Sequence, residues 1–453
     1  MSGITDLNAE RTKDRLAALR ARAVALRGKP AAPAGPAAPP ASGGAGEEVN
    51  CHVHTIYSFS PYSPAAAAER ARAAGLSAVG IMDHDSVAGA EEMREAGTII
   101  GIATTAGVEV RVSAAGTALE GRRINNPDSL GILYMIIHGI PGASVARVRE
   151  FLKPIQAARE LRGRRMVAAL NRLLPGYGLR QLDWQRDVRS RSRADDGGTV
   201  TERHILYAVA SAIVEKTGRG ERLVEFLRTT IGIHPPARIA GWLGDPSNEV
   251  LLFDLLGVLK SSFIEKVYIQ PGPQECIPVR DVIRFADDVG GIPTYPYLGD
   301  VTDSPTGDKK AEQFEDRYLE ELMDEAGRLG FRAVAYMPPR NTIAQLRRVQ
   351  ALCVRRGFME ISGVDINSPR QSFNCPELHL PEFSHLINAT WALIAHERLS
   401  DSHSRYGLFH PDNPLARLPL TDRIAEYAEV GRSLDPSDEH PAAGHPRVTT
   451  WER

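Results

Sequence analysis

Short apolar runs alternate with helix-like stretches from Val49 to Gly142. Strand-like runs are "EVNCHVHT", "LSAVGIMDHD", "IATTAGVEVRV" and "GILYMIIHGI", and the segments between the first three have helical spacing. In "SPAAAAERARAAG", Ser63 is predicted as the N-cap, Pro64 as the first helical residue and Gly75 as the end. This alternation is typical of parallel β-α-β units.

The alternation stops after Gly142 and returns in the second half of the chain. Residues 143–242 have mostly helical periodicity, broken by the loop "RSRSRADDGGTV". Strand-like "GIPTYPYLG", "FRAVAYMPP" and "FMEISGVDIN" then alternate with helical segments. We therefore predict an α/β fold, a parallel barrel interrupted by a helical insertion, with reactive groups at the carboxyl ends of its strands.

The predicted domain organisation has six parts. They are a helical arm (1–28), a Pro/Ala-rich linker (29–48), the first barrel half (49–142), a mainly helical insertion (143–270), the second barrel half (271–410) and a polar C-terminal tail (411–453). The arm is interpreted as a frayed helix on a tether; the alternative is a docking helix for a partner or a second subunit.

Composition narrows the classes of partner. The formal net charge is −2, from 54 Lys+Arg and 56 Asp+Glu, which gives no overall reason to expect nucleic acid or an anionic membrane. Four scattered cysteines without a CxxC pair fit a reducing compartment. With no apolar run near the ~20 residues of a membrane span and no signal core, we expect a cytoplasmic protein. The sequence leaves open whether the protein forms a homo-oligomer.

Polar groups follow several predicted strands. His52 and His54 are two residues apart, so a strand would direct both imidazoles to one face. "DHD" ends the second strand, "GVEV" offers Glu109, and "SGVDIN" offers Asp365. Imidazole with carboxylate is a ligand set for zinc, manganese or iron. The order of these groups along successive strands predicts a metal site.

The order also resembles the PHP family, the polymerase and histidinol phosphatase domain. The resemblance lies in "NCHVHTIYSFSPYSPAAAAERARAAGLSAVGIMDHDSVAGAEE", then "GVEV" and "GVDIN", and is strongest over residues 49–110. It implies a distorted (β/α)7 barrel that binds divalent metal ions and hydrolyses phosphate esters with metal-activated water.

The resemblance also implies residue roles. His52 and His54 would bind a first metal, Glu109 would bridge two metals, His84 would bind the second, and Asp365 would return to the first. Asp83 and Asp85 are the predicted catalytic carboxylates, which would orient His84.

This sequence departs from the family pattern at three ligand positions. The family pattern has a loop carboxylate, a His-Pro pair and a final histidine. At these positions this sequence has Phe59, Tyr295-Pro296 and Asn367. Tyr295, Asn367 or the strand residue His138 are candidates to complete the site. The retained ligands predict one or two metal ions.

Further residues are candidates for binding substrate. Arg203 and His204 follow the predicted N-cap Thr201, and a helix N-terminus can bind an anion. Arg340, also a catalytic candidate, and Asn341 follow a strand, and Arg370 lies after Asp365. The arginine-rich stretch 147–193 is interpreted as a solvated helical face, with a phosphate-binding lid as the alternative.

The sequence therefore predicts a metal-dependent phosphoesterase acting on a small phosphorylated metabolite. The alternative is a PHP-derived ligand-binding or regulatory protein with a depleted, non-hydrolytic metal site. A nuclease is disfavoured because the basic stretch has few aromatic residues for base stacking.

Overall fold

The structure is a computed structural model that describes residues 6–27, 47–126, 128–300, 314–436 and 445–451. Most of the predicted linker, residues 29–46, lies outside the described residues. The domain boundaries predicted above stay predictions.

Seven strands form one sheet in the order of the sequence. They are β1 Val49–Val53, β2 Ala78–His84, β3 Ala103–Ser113, β4 Ile132–His138, β5 Ile292–Pro296, β6 Ala333–Tyr336 and β7 Met359–Ser362. The sheet curls into a nearly closed barrel, because the segment after β7 bridges back to β1 between Ile366 and Val53. The α/β barrel expected from the sequence is thereby confirmed.

The fourth strand runs against the other six. β4 is antiparallel to both β3 and β5, whereas all other neighbouring strands are parallel. The expectation of a fully parallel barrel is therefore wrong at this strand. No helix of the described chain separates β3 from β4, and antiparallel neighbours do not need the crossover that parallel strands require.

Fourteen α-helices are found in the described chain. They are α1 Thr12–Arg27, α2 Pro64–Ala73, α3 Ala90–Ile100, α4 Val145–Leu173, α5 Glu202–Thr217, α6 Glu221–Phe226, α7 Ala237–Gly244, α8 Leu251–Ser262, α9 Val279–Asp288, α10 Leu319–Leu329, α11 Ile343–Arg356, α12 His385–Ser402, α13 Leu420–Ser433 and α14 Pro446–Trp451. Helix α2 begins as predicted: the Ser63 side chain accepts a hydrogen bond from the Ala66 amide, and proline follows at the first position.

Apolar residues from six strands fill the lower barrel interior. They are Cys51, Met82, Ile136, Ile292, Ala333, Ala335, Met359 and Ile361, and they form one buried cluster with residues of α12. Helix α12 contacts β1, β3 and β7, and its Glu397 accepts hydrogen bonds from Thr105 and Ala106 near the start of β3. Helix α12 thus covers the amino-terminal end of the barrel and leaves the carboxyl end for the site.

The insertion has a hydrophobic core of its own. Helix α4 packs its first half against the barrel core through Val145, Val148 and Leu152. Its second half, including Met166 and Leu170, belongs to the core built by α5 to α8. One helix therefore joins the barrel to the insertion.

The C-terminal segment predicted as a polar tail contains helices α13 and α14. Helix α13 packs on α12, with Tyr427 and Val430 buried in the same cluster that fills the lower barrel.

Candidate metal centre

Two neighbouring strands bring three histidines together at the open end of the barrel. The ring centroids of His52 and His54, on and just after β1, are 5.2 Å apart. The ring of His84, the last residue of β2, lies 4.6 Å from that of His54. The register of β1 against β2 shifts between Asn50 and Val53, so this pair does not sit on a regular strand.

Glu109 completes a cluster with metal-binding geometry. One ligand atom each from His52, His54 and Glu109 lie within 4.8 Å of one another. Glu109 is buried on β3, directly beside His84 in the β2–β3 register. The His84 Nδ1 atom lies 2.8 Å from Glu109 Oε2, so the carboxylate is close both to His84 and to the His52–His54 pair.

Asp365 reaches the cluster from the segment that follows β7. Its Oδ1 atom lies 3.3 Å from His54 Nε2, and the Asn367 side-chain amide donates a 2.7 Å hydrogen bond to the same oxygen. Gly363 permits this approach, because a Cβ there would stand 2.6 Å from the Cβ of His52. Asn367, which occupies the position of the final histidine in the family pattern, therefore orients Asp365.

Charges within the cluster set the protonation of the histidines. Burial lowers the pKa of His52 and, with the charge of His54, lowers that of His84 well below its ordinary value. Burial opposes the charged form of His54 as well, but Asp365 raises its pKa overall. Despite burial, His54 holds the pKa of Asp365 well below its usual range. Neutral imidazoles and an ionised carboxylate are the forms that bind metal.

Asp83 is committed to the loop after β1. Its carboxylate accepts hydrogen bonds from the Thr55 amide at 2.6 Å, the Thr55 hydroxyl at 2.5 Å and the Ser58 hydroxyl at 2.6 Å. The side chain is buried. Asp83 therefore fixes the loop that follows His54.

Asp85 faces the insertion. Its Oδ2 atom pairs with Arg159 of α4, and its backbone carbonyl accepts a 2.8 Å hydrogen bond from Gln156. Burial raises the pKa of Asp85, and the Arg159 charge opposes that rise. These contacts give both predicted catalytic aspartates a partner other than His84.

A buried network of charges lies between the barrel and the insertion. Arg111 donates to Glu202 at 2.8 Å, and Arg162 donates to Glu202 and to Glu275 at 2.6 Å each. Arg159 also donates to Glu202 at 2.9 Å. Three guanidiniums thus meet Asp85, Glu202 and Glu275, and the pairing makes their burial tolerable.

These network residues were not among those predicted from the sequence. Arg111 is two residues after Glu109 and shares its strand face, so period-2 reasoning could have found it. Arg159 and Arg162 are three apart on α4 and hence neighbours on one helix face. Tyr134 of β4, whose ring lies 5.6 Å from that of His84, was also missed.

Arg203 interacts electrostatically with the cluster. Burial raises the pKa of Asp365, but the charges of His54 and His52 and, to a smaller extent, that of Arg203 lower it. Arg203 also lines a small cleft with Phe253, Asp254, Asn367 and Ser368, between the insertion and the loop after β7.

The neighbouring His204 has a structural position. It is buried, and its Nδ1 accepts a 3.0 Å hydrogen bond from the Thr201 amide in a capping box at the start of α5. Burial lowers its pKa to about 3. A neutral, enclosed ring is poorly suited to clamp an anion.

The other candidates surround the same end of the barrel. Arg340 is half-buried after β6, and the buried Asn341 donates a 2.8 Å hydrogen bond to the Leu298 carbonyl. Arg370 donates to Asp254 of α8 at 2.5 and 2.8 Å and stacks 4.0 Å over the Trp242 ring. Arg370 therefore ties the loop after Asp365 to the insertion.

Two residues proposed to complete the site lie elsewhere. Thr294 pairs with Ile136, which pairs with Glu109, so Thr294 shares the interior face and Tyr295 faces the outer layer. There the Tyr295 hydroxyl donates to Glu315. His138 ends the reversed strand β4 opposite Ile292, the first residue of β5, and lies below the cluster, toward the closed end, where burial and the charge of His52 lower its pKa to about 3.

Phe59, at the expected loop carboxylate, belongs to the insertion core. Its ring contacts His204 at 5.0 Å and Phe253 at 5.8 Å between centroids, and it is buried in the cluster built by α4 to α8. The position that carries a carboxylate in the family pattern thus anchors the insertion to the barrel.

The donor set fits a divalent metal ion. Ligand atoms bound to one zinc ion at about 2.0–2.2 Å are about 3 Å apart, which is the range of the His84–Glu109 and His54–Asp365 contacts. Buried His84 Nδ1 has no hydrogen-bond partner of acceptable geometry among the described residues, although the Glu109 oxygen is close. A contact that is close but poorly aligned for hydrogen bonding is typical of two ligands directed at one ion.

These observations define an α/β barrel with a carboxylate-histidine cluster that could hold a metal ion, at the ends of β1 and β2 and beside Glu109 of β3. The family model of the PHP domain matches residues 50–162. This part of the chain is similar to the PHP domain, and the resemblance found in the sequence is confirmed. The match includes His52, His54, His84 and Glu109 and ends within α4.

Two solved structures are similar to this chain at low sequence identity. One is a proposed metal-dependent phosphoesterase from Bifidobacterium adolescentis, with 19% identity, a TM-score of 0.48, and coverage of 73% of this chain and 91% of that chain. The other is an amidohydrolase from Chromobacterium violaceum with bound sulfate and no metal, with 17% identity, a TM-score of 0.47, and coverage of 72% and 90%. No curated protein matches the chain.

The PHP match and the cluster together support a metal-dependent hydrolase in the general sense. Among the described residues, no helix is both long enough and apolar enough to cross a membrane.

Proposed function

We propose that the protein hydrolyses phosphate esters of a small metabolite, using a water molecule activated by one or two divalent metal ions. The observation that carries the proposal is the convergence of His52, His54 and Glu109, with ligand atoms within 4.8 Å of one another. The PHP match over the same residues supports it.

The proposed ligand roles follow from which groups lie side by side. His52, His54 and Asp365 would form one group around a first ion, and His84 pairs closely with Glu109 and would bind a second. Glu109 is thus suited to bridge two ions. Bound zinc, manganese or iron would lower the pKa of a coordinated water and neutralise phosphoryl oxygens.

The chain's own groups would position the substrate. Arg203 and Asn367 line a cleft beside Asp365, and a guanidinium there can bind phosphate oxygens through a planar pair of donors. Arg340 and Asn341 follow β6 at the same end of the barrel and are proposed as further contacts. The Arg370 guanidinium is paired with Asp254, and His204 is enclosed in the cap of α5, so we leave both out of the substrate site.

Asp83 and Asp85 are proposed as positioning residues rather than proton carriers. Asp83 holds Thr55 and Ser58, and Asp85 holds Arg159. The proposed mechanism therefore relies on metal-activated water.

One observation favours the alternative, a ligand-binding or regulatory protein with a non-hydrolytic site. The interior residues of β5 and β6 include Thr294, Ala333 and Ala335, and none is a strong metal ligand. A site whose metal ligands come from one side of the barrel binds a second ion less tightly than a site with ligands on both sides.

The deciding experiment combines metal analysis with a broad phosphate-ester assay. The protein is loaded with Mn²⁺, Zn²⁺ or Fe²⁺, and bound metal and turnover are measured for the wild type and for His54→Ala. The control His234→Ala removes an exposed histidine of the insertion. We expect at least one bound metal and turnover in the wild type and the control, and loss of both in His54→Ala.

Each contrary result has a distinct meaning. Bound metal without turnover on any ester favours the binding protein. Unchanged metal content in His54→Ala contradicts the site.

A further inference from the structure

The N-terminal arm, residues 6–27, occupies a place in the helical layer of the barrel. Helix α1 packs on α2 and α3, and Leu7, Leu16 and Leu19 are buried in the main core. The short helix Asp6–Asn8 precedes it. The arm is thus bound to its own barrel, not extended as a frayed helix.

Arg15 is the polar centre of this contact. Its side chain is 1% exposed, and it donates to Glu92 Oε1 at 2.9 Å and to the hydroxyl of Tyr57 at 3.1 Å. It also donates to the carbonyls of Ala9 and Glu10 at 2.8 Å each. A buried guanidinium with its donors satisfied fixes both sides of the contact.

The start of the arm also holds the loop that follows β1. The Asn8 side chain donates to the Pro61 carbonyl at 3.0 Å and accepts from the Ser63 amide at 2.8 Å. The Ser63 hydroxyl donates to the Leu7 carbonyl. Together with Tyr57, these contacts span residues 57–63.

That loop touches both parts of the candidate site. Ser58 donates to Asp83 at 2.6 Å, and its hydroxyl lies 3.4 Å from the His54 Nδ1 atom. The Tyr57 carbonyl accepts a 2.8 Å hydrogen bond from the amide of Thr199 in the insertion. Phe59, in between, packs in the insertion core.

The insertion also contacts the arm directly. Arg193 donates a 2.9 Å hydrogen bond to the Glu10 carbonyl. The arm, the loop and the insertion therefore form a continuous chain of contacts that ends at His54.

We propose that the arm is an intramolecular strap that positions the loop 55–63, and that Arg15 is a positioning residue for the metal centre. The strap keeps His54 oriented through Ser58 and keeps the insertion seated through Tyr57 and Phe59. The effect on metal binding rests on the proposed function, whereas the effect on the loop does not.

The test measures amide hydrogen exchange and metal affinity in the full-length chain. Arg15→Met removes the charge and donors while keeping an unbranched apolar stem. Arg20→Met is the matched control, since Arg20 of the same helix makes only an exposed pair with Glu95. Exchange is followed in metal-free protein over peptides 55–63 and 197–201, and Zn²⁺ affinity is measured by titration.

In Arg15→Met we expect at least tenfold faster exchange in both peptides and Zn²⁺ affinity weaker by about tenfold, the lower range for losing a residue that orients a ligand. Arg20→Met should match the wild type in both measurements. Faster exchange confined to residues 6–27, or wild-type Zn²⁺ affinity with a loosened loop, would overturn the proposal.

A milder variant covers the case in which Arg15→Met does not fold. Tyr57→Phe deletes only the hydroxyl that Arg15 contacts, and we expect it to speed exchange in peptide 55–63 by a smaller factor. Unchanged exchange there would contradict the strap. If the wild type binds none of Zn²⁺, Mn²⁺ and Fe²⁺, the proposed function fails, while the exchange data still decide whether the strap exists.

Discussion

The two halves of the barrel differ in where they direct polar side chains. The first half points His52, His54, His84 and Glu109 to the open end of the interior. The second half pairs its polar groups on the outside: Tyr295 with Glu315, and Tyr336 of β6 with Glu360 of β7 at 2.7 Å.

The difference follows from strand alternation. In β5 and β6 the tyrosines alternate with small interior residues, Thr294, Ala333 and Ala335. Among the described residues of the second half, Asp365, after β7, reaches the cluster. The first three strands thus supply most of the candidate ligands in the described chain, and the second half mainly supports them.

The largest expected effect comes from Phe59, which stands in the first half where the family pattern has a carboxylate. Phe59→Asp would restore the family residue type, but at a site within the insertion core. We expect the free energy of unfolding to fall by at least about 3–5 kcal/mol, the usual range for truncating a buried phenylalanine, without added metal binding. Urea unfolding and metal analysis check this, with Phe59→Leu as the apolar control. A stable Phe59→Asp variant that gains a metal ion would contradict the assignment of Phe59 to packing.

The second prediction compares one residue from each half. Glu109→Gln keeps the shape of a central ligand but removes its charge. Loss of a residue that only hydrogen-bonds to a ligand typically lowers metal affinity by roughly 10- to 100-fold, so we expect a larger fall here. Tyr295→Phe should leave metal content unchanged and cost about 1–2 kcal/mol of stability for a lost buried hydrogen bond. Metal titration and unfolding measure both. Metal loss in Tyr295→Phe would break the distinction between the halves.

The smallest expected effect is a pH dependence of stability that arises from Glu315, the partner of Tyr295 outside the barrel interior. Burial raises the pKa of Glu315 from 4.5 to about 7, although hydrogen bonds from Tyr295 and two amides oppose the rise. The folded state therefore keeps a proton that the unfolded state releases, so this contribution to stability is lost as pH rises from about 4.5 to about 7.

Glu315→Gln should remove that contribution. Between pH 5 and pH 8, we expect the stability difference between wild type and variant to change by roughly 1–3 kcal/mol, since one pKa unit corresponds to about 1.4 kcal/mol. Unfolding at both pH values measures it, and Glu320→Gln, on an exposed side chain, is the control. Parallel stability curves for wild type and Glu315→Gln would refute the assignment.

Local patterns were enough to predict much of the fold and the centre of the site. The Ser63 cap, the strand-helix alternation and the clustering of His52, His54 and Glu109 each depend on periodicity or on strand ends. The roles of the individual ligands stay predictions.

Other features required three-dimensional information. Strand periodicity contains no direction, so the reversal of β4 and the place of His138 toward the closed end were not visible. The outward face of Tyr295 depends on its register with Ile136, and the pairing of Asp85 with Arg159 joins residues 74 positions apart.

The reversal of β4 also sets the course of the helix that follows it. Because β4 ends toward the closed end, the first half of α4 returns along the barrel to the rim, and its second half continues into the insertion. The whole helix has 29 residues, or roughly 44 Å at 1.5 Å per residue. Arg159 and Arg162 come about 21–26 Å along this helix, where it passes the open end. The number of helical residues before Arg159 thus sets the height and direction of both guanidiniums. Inserting one residue there would move them by about 1.5 Å along the helix axis and turn them by about 100°, away from Glu202.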